Sequence, residues 1–354
     1  MNMLEQKVRD FVEELGHDPR ATVFEVQLDQ RPDGVALVGA ATDVAAVESL
    51  LSRLAAVRGE AVRDEVVRLP DPELGTEIHA LVRASVAPVH ASARVSSTQV
   101  SQYVMGHRLE LLARRGAWWR VRGEDGYIGW VHHGYLRTGD AAWAQAWERG
   151  VEGEPMVSLG AELVDDAGRH LVRLPWGARV IRHEPRRFRL PDGRVGELDT
   201  GELIEADRLV DWFPPRGESA VRTARRWAGT PYLWGGVTTA GADCSGFVQA
   251  VLWMHGVALP RDSDQQARVG AEVEWSESFE ELRPGDLLFF SERPERITHV
   301  AISLGGSRII HSALSNGGVA ENDLLGGLEI ERAPRPARLI RAAEAASREA
   351  GAVD

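Results

Sequence analysis

The chain has 354 residues, 44% of them apolar, with a formal net charge of −12 and a pI near 5.5. Its length predicts two to four globular domains, and its acidity excludes a basic nucleic-acid or anionic-membrane surface. Cys244 is the only cysteine, which excludes an internal disulfide. The opening Met1-Asn2-Met3-Leu4-Glu5-Gln6-Lys7 lacks the apolar run of a signal peptide, and no later segment is long and apolar enough to span a bilayer. The expected location is the cytoplasm, with the envelope as the alternative if a leader lies upstream.

Residues 1–75 read as helix, two strands, helix, strand. Val8, Phe11, Val12 and Leu15 form one helical stripe; Thr22 to Leu28 and Val35 to Val38 alternate around Pro32-Asp33-Gly34; Val44 to Val57 is helical again; Val62 to Leu69 is a strand. This α+β module resembles bacterial BON-type domains and carries no polar constellation, so it is expected to pack or dock. From residue 78 the pattern changes to short strands. Trp118 to Arg122, a Glu124-Asp125-Gly126 turn and Tyr127 to Val131 predict a hairpin; Phe188 to Leu190, Pro191-Asp192-Gly193 and Arg194 to Leu198 predict another. Residues 78–140 and 141–213 resemble paired bacterial SH3-like barrels, with Trp118 and Trp119 as core. Asp211 to Gly217, with Pro214 and Pro215, reads as a linker.

Beyond the linker, Ala220 to Trp227 reads as a helix and Gly229 to Gly236 as a glycine-flanked loop. Cys244 then opens a helix whose apolar stripe runs through Phe247, Val248, Val251 and Leu252 to a stop at Gly256. Unpaired backbone N–H groups and the helix dipole at such a position favour a thiolate. A lone cysteine is more often a small buried hydrophobe. Here, small polar neighbours precede it and two histidines follow in strand-like segments. Asp286 to Phe290, His299 to Leu304, Arg308 to Ser312 and Leu339 to Arg341 read as strands, and Ala342 to Asp354 as a frayed end. If Gly305-Gly306-Ser307 is the whole loop, Leu304 pairs with Arg308, Ala301 faces His311, and His299 and His311 become same-face diagonal neighbours. A two-residue loop would put them on opposite faces.

These residue types suit a thiol nucleophile (Cys244), a base (His299) and a group that orients the base (His311). His311 could instead be a strand histidine bonded to backbone. A zinc site is disfavoured, because the three residues contain no ligand pair at short spacing.

Thr230 to Gly236, Asp243-Cys244-Ser245-Gly246-Phe247, Arg283-Pro284-Gly285-Asp286-Leu287, His299 to Ile302 and His311-Ser312 occur in one order. In that order the segment 218–343 resembles the NlpC-type papain-like cysteine peptidases. The resemblance implies an α+β papain-like domain, no cofactor or metal, and hydrolysis of the bond between γ-D-glutamate and a diamino acid in murein stem peptides. It carries the nucleophile to Cys244, the base to His299 and the third polar member to His311, and sets Tyr232 and Asp243 beside the nucleophile. Ser245 is expected to use its hydroxyl locally at the helix start and joins the candidate substrate-binding residues. Tandem SH3-like modules ahead of the peptidase are similar to the YkfC-type branch. That likeness implies a cleft walled at one end, open to peptides with a free N-terminal L-alanine, with Tyr127, Asp262 and Ser263 facing the substrate. The branch uses a glutamate where Ser97, Thr98 or Gln99 stands here. Arg261 and Asp262 could alternatively be a surface ion pair.

The expected architecture is therefore a multidomain α+β chain with a small N-terminal module, two SH3-like barrels and a peptidase domain. Two other readings stand beside the murein-peptide recycling enzyme: an envelope hydrolase anchored by its SH3-like modules, and a non-catalytic murein-peptide binder.

Overall fold

In the N-terminal module, α1 (Met3–Leu15) turns Leu4, Val8 and Phe11 inward, each worth about 1.5–3 kcal/mol of burial. They pack with α2 (Val44–Arg58) over a sheet of β1 (Phe24–Arg31), β2 (Gly34–Ala41) and β3 (Arg63–Arg68). β1 and β2 pair antiparallel, while β3 returns parallel to β2 through the α2 crossover. Asp43 caps α2 by accepting from the Ala46 N–H, and Gly59 ends it at φ 77°. The computed structural model describes residues 3–59, 61–274, 276, 278–293, 296–326 and 338–341. The expected frayed end at 342–354 lies outside the described residues.

A seven-stranded sheet follows: β4 (His79–Val82), β5 (Val86–His90), β6 (Gln99–Val104), β7 (Arg108–Arg115), β8 (Trp118–Gly123), β9 (Ile128–His132) and β10 (Leu136–Gly139), in the spatial order β10-β4-β7-β8-β9-β5-β6. The hairpin expected around Glu124-Asp125-Gly126 is the β8–β9 pair, with Gly126 at φ 78°. Asp140 then caps α3 (Ala141–Glu148), a helix the sequence reading did not anticipate. A five-stranded sheet comprises β11 (Glu154–Val164), β12 (His170–Leu174), β13 (Arg179–Glu184), β14 (Arg187–Arg189) and β15 (Val195–Glu205), with β15 returning to pair with β11.

The expected linker is replaced by structure. α4 (Leu209–Trp212) leads into α5 (Gly217–Arg225), and Phe213 is buried against Trp176 and His255, because an apolar ring has more to gain in the core than in an extended connection. The short β16 (Val237–Thr238) and β17 (Gly241–Ala242) precede α6 (Cys244–Met254) and α7 (Ser263–Gln266). A six-stranded sheet closes the chain: β18 (Ala271–Glu272), β19 (Leu287–Arg293), β20 (Arg296–Gly305), β21 (Arg308–Ala313), β22 (Gly318–Asp323) and β23 (Arg338–Arg341), ordered β18-β23-β19-β20-β21-β22. α6 lies on this sheet through Phe247, Val248 and Val251 against Val300, Ile302 and Ile310.

The β20–β21 turn differs from both sequence alternatives. Gly305 pairs with Arg308, so the loop has two residues and Leu304 does not pair with Arg308. A bulge between Ser303 and Gly305 absorbs one residue, and beyond it Ser303 faces Ile309 and Ile302 faces Ile310. Past the bulge the register equals that of a three-residue loop, which keeps His299 and His311 on one face.

Candidate active site

Cys244 is the first residue of α6. Asp243 caps the helix, its Oδ1 accepting from the Gly246 N–H at 2.8 Å, while Oδ2 accepts from the Gly235 N–H at 2.8 Å. A Cβ on Gly246 would lie 2.1 Å from the Gly236 carbonyl oxygen, so only glycine lets the loop before the cysteine close this tightly. Arg261 completes the support. Its guanidinium donates to both Asp243 oxygens at 3.0 and 2.7 Å, to Ser245 Oγ at 2.9 Å, and through Nε to Ser101 Oγ of β6 at 3.0 Å. Arg261 is 1% exposed, so the surface ion pair considered from the sequence is instead a buried pair with Asp243. Asp243 and Ser245 are themselves buried, and their polar atoms are committed to this support rather than turned to a ligand.

The thiol is half-buried and meets the backbone N–H groups of Val300 and Ser245. Burial, and next the Asp243 carboxylate, push it up to about 12 despite those N–H groups. The helix start therefore does not by itself produce the thiolate that the sequence suggested. Proton removal falls to a base.

His299 precedes Val300, and its Nε2 lies 2.6 Å from Nδ1 of His311. His311 is wholly buried, and its Nε2 lies 2.8 Å from Oδ1 of Asn322 on β22. The Asn316 amide donates to the same Asn322 oxygen at 2.7 Å. With that oxygen accepting, His311 carries its proton on Nε2 and offers Nδ1 as acceptor. His299 then donates from Nε2 and keeps a lone pair on Nδ1. Burial holds both imidazoles neutral: His299 falls to about 3, helped by His311, and His311 is lowered as well. Asn322 and Asn316 were not singled out from the sequence. β22, flanked by glycine and holding Glu321, Asn322 and Asp323, reads as loop until its pairing with β21 is known.

Tyr232 sits on the loop against the cysteine. Its backbone bridges Ala242, its N–H donates to the Gly317 carbonyl at 3.0 Å, and burial with the nearby Cys244 raises its phenol to about 12. Ser312 Oγ donates to the Ala242 carbonyl at 2.7 Å, tying the His311 strand to the residue before Asp243. Asp262 caps α7, Ser263 is buried behind it, and Tyr127 reaches Asp262 from the first β module. That module docks on the C-terminal segment elsewhere too. Gln99 Nε2 donates to the Trp234 carbonyl at 3.0 Å, Gln102 Oε1 accepts from the Val237 N–H at 3.2 Å, and Gln249 Nε2 donates to Asp125 Oδ2 at 3.1 Å. Gln99 thus stands at the module boundary as a neutral donor, and Ser97 Oγ is used within its own loop by the Ser92 N–H. Among the described residues no three His, Cys, Asp or Glu side chains cluster as a metal site.

Residues 229–333 match the NlpC/P60 family model and residues 85–137 that of the bacterial SH3 domain. A gamma-D-glutamyl-L-lysine dipeptidyl-peptidase of Bacillus cereus is 27% identical over 231 residues, covering 60% of this chain and 66% of that protein. A Bacillus subtilis protein of the same name is 38% identical over 97 residues, covering 27% of this chain and 31% of its own. The probable endopeptidase NlpC of Escherichia coli is 40% identical over 93 residues, covering 26% and 58%. The chain thus spans less than two thirds of the length of these relatives. A solved NlpC/P60 family structure from Bacillus cereus superposes with a TM-score of 0.61 at 22% identity, over 75% of this chain and 99% of that one, a likeness of fold.

Proposed function

We propose that this chain, which contains an NlpC/P60 domain and a bacterial SH3 domain, is a cysteine peptidase cutting the γ-D-glutamyl bond to a diamino acid in murein peptides with a free N-terminal L-alanine. Cleavage of such small, amine-terminated peptides fits recycling in the cytoplasm. The observation that carries the reading is the hydrogen-bonded chain from Asn322 through His311 to His299, beside the strand residue whose N–H meets Cys244.

In this reading the bound peptide sets its γ-carbonyl carbon against Cys244 Sγ. His299 Nδ1 takes the thiol proton as sulfur attacks, and the tetrahedral oxyanion forms. The same proton passes to the diamino-acid nitrogen as the C–N bond breaks, leaving a thioester. Water then attacks the thioester carbon, gives a proton to His299, and the thiolate leaves and recovers it. His311 holds the His299 ring through its Nδ1 and stabilises the imidazolium while it exists. Tyr127 beside Asp262 supports the free-amine requirement, since a half-buried carboxylate opposite an ammonium rewards a charged N-terminus and penalises its absence.

The test is product analysis by mass spectrometry with L-Ala-γ-D-Glu-meso-diaminopimelate, its L-lysine counterpart and their N-acetylated forms, using the protein and its Cys244→Ala variant. Cleavage of the free peptides only, lost in Cys244→Ala, is the expected result. Equal cleavage of free and acetylated peptides would instead favour an envelope hydrolase with an open cleft. No cleavage of either would favour a peptide-binding protein.

A further inference from the structure

We infer that Arg20, from the N-terminal α+β module, is a specificity-determining residue of the cleft: it holds Asp262 in place at the end that receives the substrate's ammonium. The inference rests on the free-amine reading above and gives the N-terminal module a part in it.

The loop between α1 and β1 is wedged between two other modules. The Arg20 carbonyl accepts from the Ile128 N–H at 2.7 Å, next to Tyr127, and Val23 and Leu69 of the N-terminal module share a small core with Leu112 and Ile128. From there the Arg20 guanidinium reaches α7. Its Nη1 donates to Asp262 Oδ2 and Asp264 Oδ1, both at 2.8 Å, and its Nη2 to Asp264 Oδ2 at 2.7 Å. Nε and Nη2 donate to the two oxygens of Asp18 at 2.9 and 2.7 Å. Gln265 Nε2 answers by donating to Asp18 Oδ2 at 2.8 Å. Every N–H of the guanidinium therefore has an oxygen, a pattern that lysine, with three donors on one nitrogen, cannot reproduce.

Three carboxylates face the Arg20 guanidinium and, at 3.9 Å from Asp264, that of Arg268, which leaves this corner net negative. An arriving ammonium offsets that charge. Without Arg20 the three carboxylates would repel one another, and Asp262, which caps α7 and meets Tyr127, would lose the contact that fixes its side chain. The same loop begins with Arg261, the buried partner of Asp243, so its backbone is anchored on the catalytic side and adjusted on the other by Arg20. Arg20 touches no reacting atom. Its effect belongs to binding.

Steady-state kinetics on free and N-acetylated L-Ala-γ-D-Glu-meso-diaminopimelate, with the parent, Arg20→Gln and Arg20→Lys, test this. Arg20→Gln is expected to raise KM for the free peptide about tenfold with kcat changed less than about twofold, and to leave kcat/KM for the acetylated peptide where it was. Arg20→Lys should fall between. Calorimetric titration of the free peptide into Cys244→Ala with and without Arg20→Gln should show the same loss in Kd. Unchanged KM in Arg20→Gln overturns the inference, and so does tighter binding of the free peptide, which would make Arg20 a competitor of the ammonium. If kcat falls equally for both peptides along with the melting temperature, Arg20 is merely structural and the inference fails. Should Arg20→Gln not fold, a parent-like KM in Arg20→Lys overturns it. A parent that cuts neither peptide, or both equally, brings down the proposed function and this inference with it, an outcome distinct from failure of Arg20→Gln alone.

Discussion

Asn322 sets the tautomer of His311 and, through it, that of His299. Its carbonyl oxygen can only accept, so it puts a proton on His311 Nε2 and leaves Nδ1 to accept from His299. Removing that oxygen in Asn322→Ala frees both rings to exchange tautomers and should lower kcat about 10- to 100-fold with little change in KM. Asn322→Asp has a different signature. A carboxylate favours the imidazolium of His311, whose Nδ1 then donates, and His299 loses the lone pair it needs toward Cys244. Activity of Asn322→Asp should therefore be low in acid and recover as pH rises past the raised His311 pKa, whereas that of Asn322→Ala should not. A pH profile of kcat/KM that is the same for both variants would refute this. The two histidines were legible as strand residues, but whether they share a face depended on the turn, and the bulge at Ser303 decides it. Asn322 was not legible, since its place beside His311 is a diagonal across a strand pair, with Ile309 opposite Asn322 and His311 opposite Ala320.

At the scale of elements, α6 is held by a charge pair that the sequence put elsewhere. Neighbouring residues on one loop point opposite ways: Arg261 turns inward to Asp243, and Asp262 turns outward to Arg20. Nothing in the one-dimensional pattern separates inward from outward there, because both residues are charged. The bulge between Ser303 and Gly305, just ahead of the two-residue turn, escaped as well, since alternation alone does not show where a residue is absorbed. The Pro214-Pro215 stretch was read as a linker because prolines break helices. They do so here between α4 and α5, while Phe213 stays in the core. Arg261→Met should leave the Asp243 carboxylate buried without its partner and cost about 3–5 kcal/mol, read as a lower denaturant midpoint at unchanged slope. Adding Asp243→Asn should recover part of that loss, because the asparagine still caps α6 and carries no charge. If the single variant unfolds at the parent's midpoint, the pair has no role in holding the helix.

At the scale of the whole molecule, the docking surfaces were not legible in the sequence, because they are built from residues that look like ordinary core. Trp176 of the second β module packs with Phe213 and Trp227 of the C-terminal segment. A cavity of about 180 Å³ lies where these modules meet the first β module; Tyr103, His107, Trp176, Gln249 and Trp253 line it, and none of Cys244, His299 or His311 does. His107 Nε2 lies 3.2 Å from the Gly177 carbonyl oxygen, and its ring stacks obliquely on Trp253, so one histidine touches all three modules. Burial, then the Arg179 guanidinium, lowers it to about 4, against the opposing pull of Glu124 and the Gly177 carbonyl. The unfolded chain therefore takes up this proton near pH 6.5, before the folded chain does. His107 contributes stability that is whole above about pH 6.5 and is lost as pH falls toward 4. His299, lowered to about 3, acts in the same direction over a window that extends further into acid. Melting temperatures measured from pH 7 to 4.5 should fall, and His107→Gln, which has no proton to gain, should fall less steeply over that range even if its melting temperature at pH 7 is lower. Parallel slopes for the two proteins would mean that the junction does not sense pH through His107.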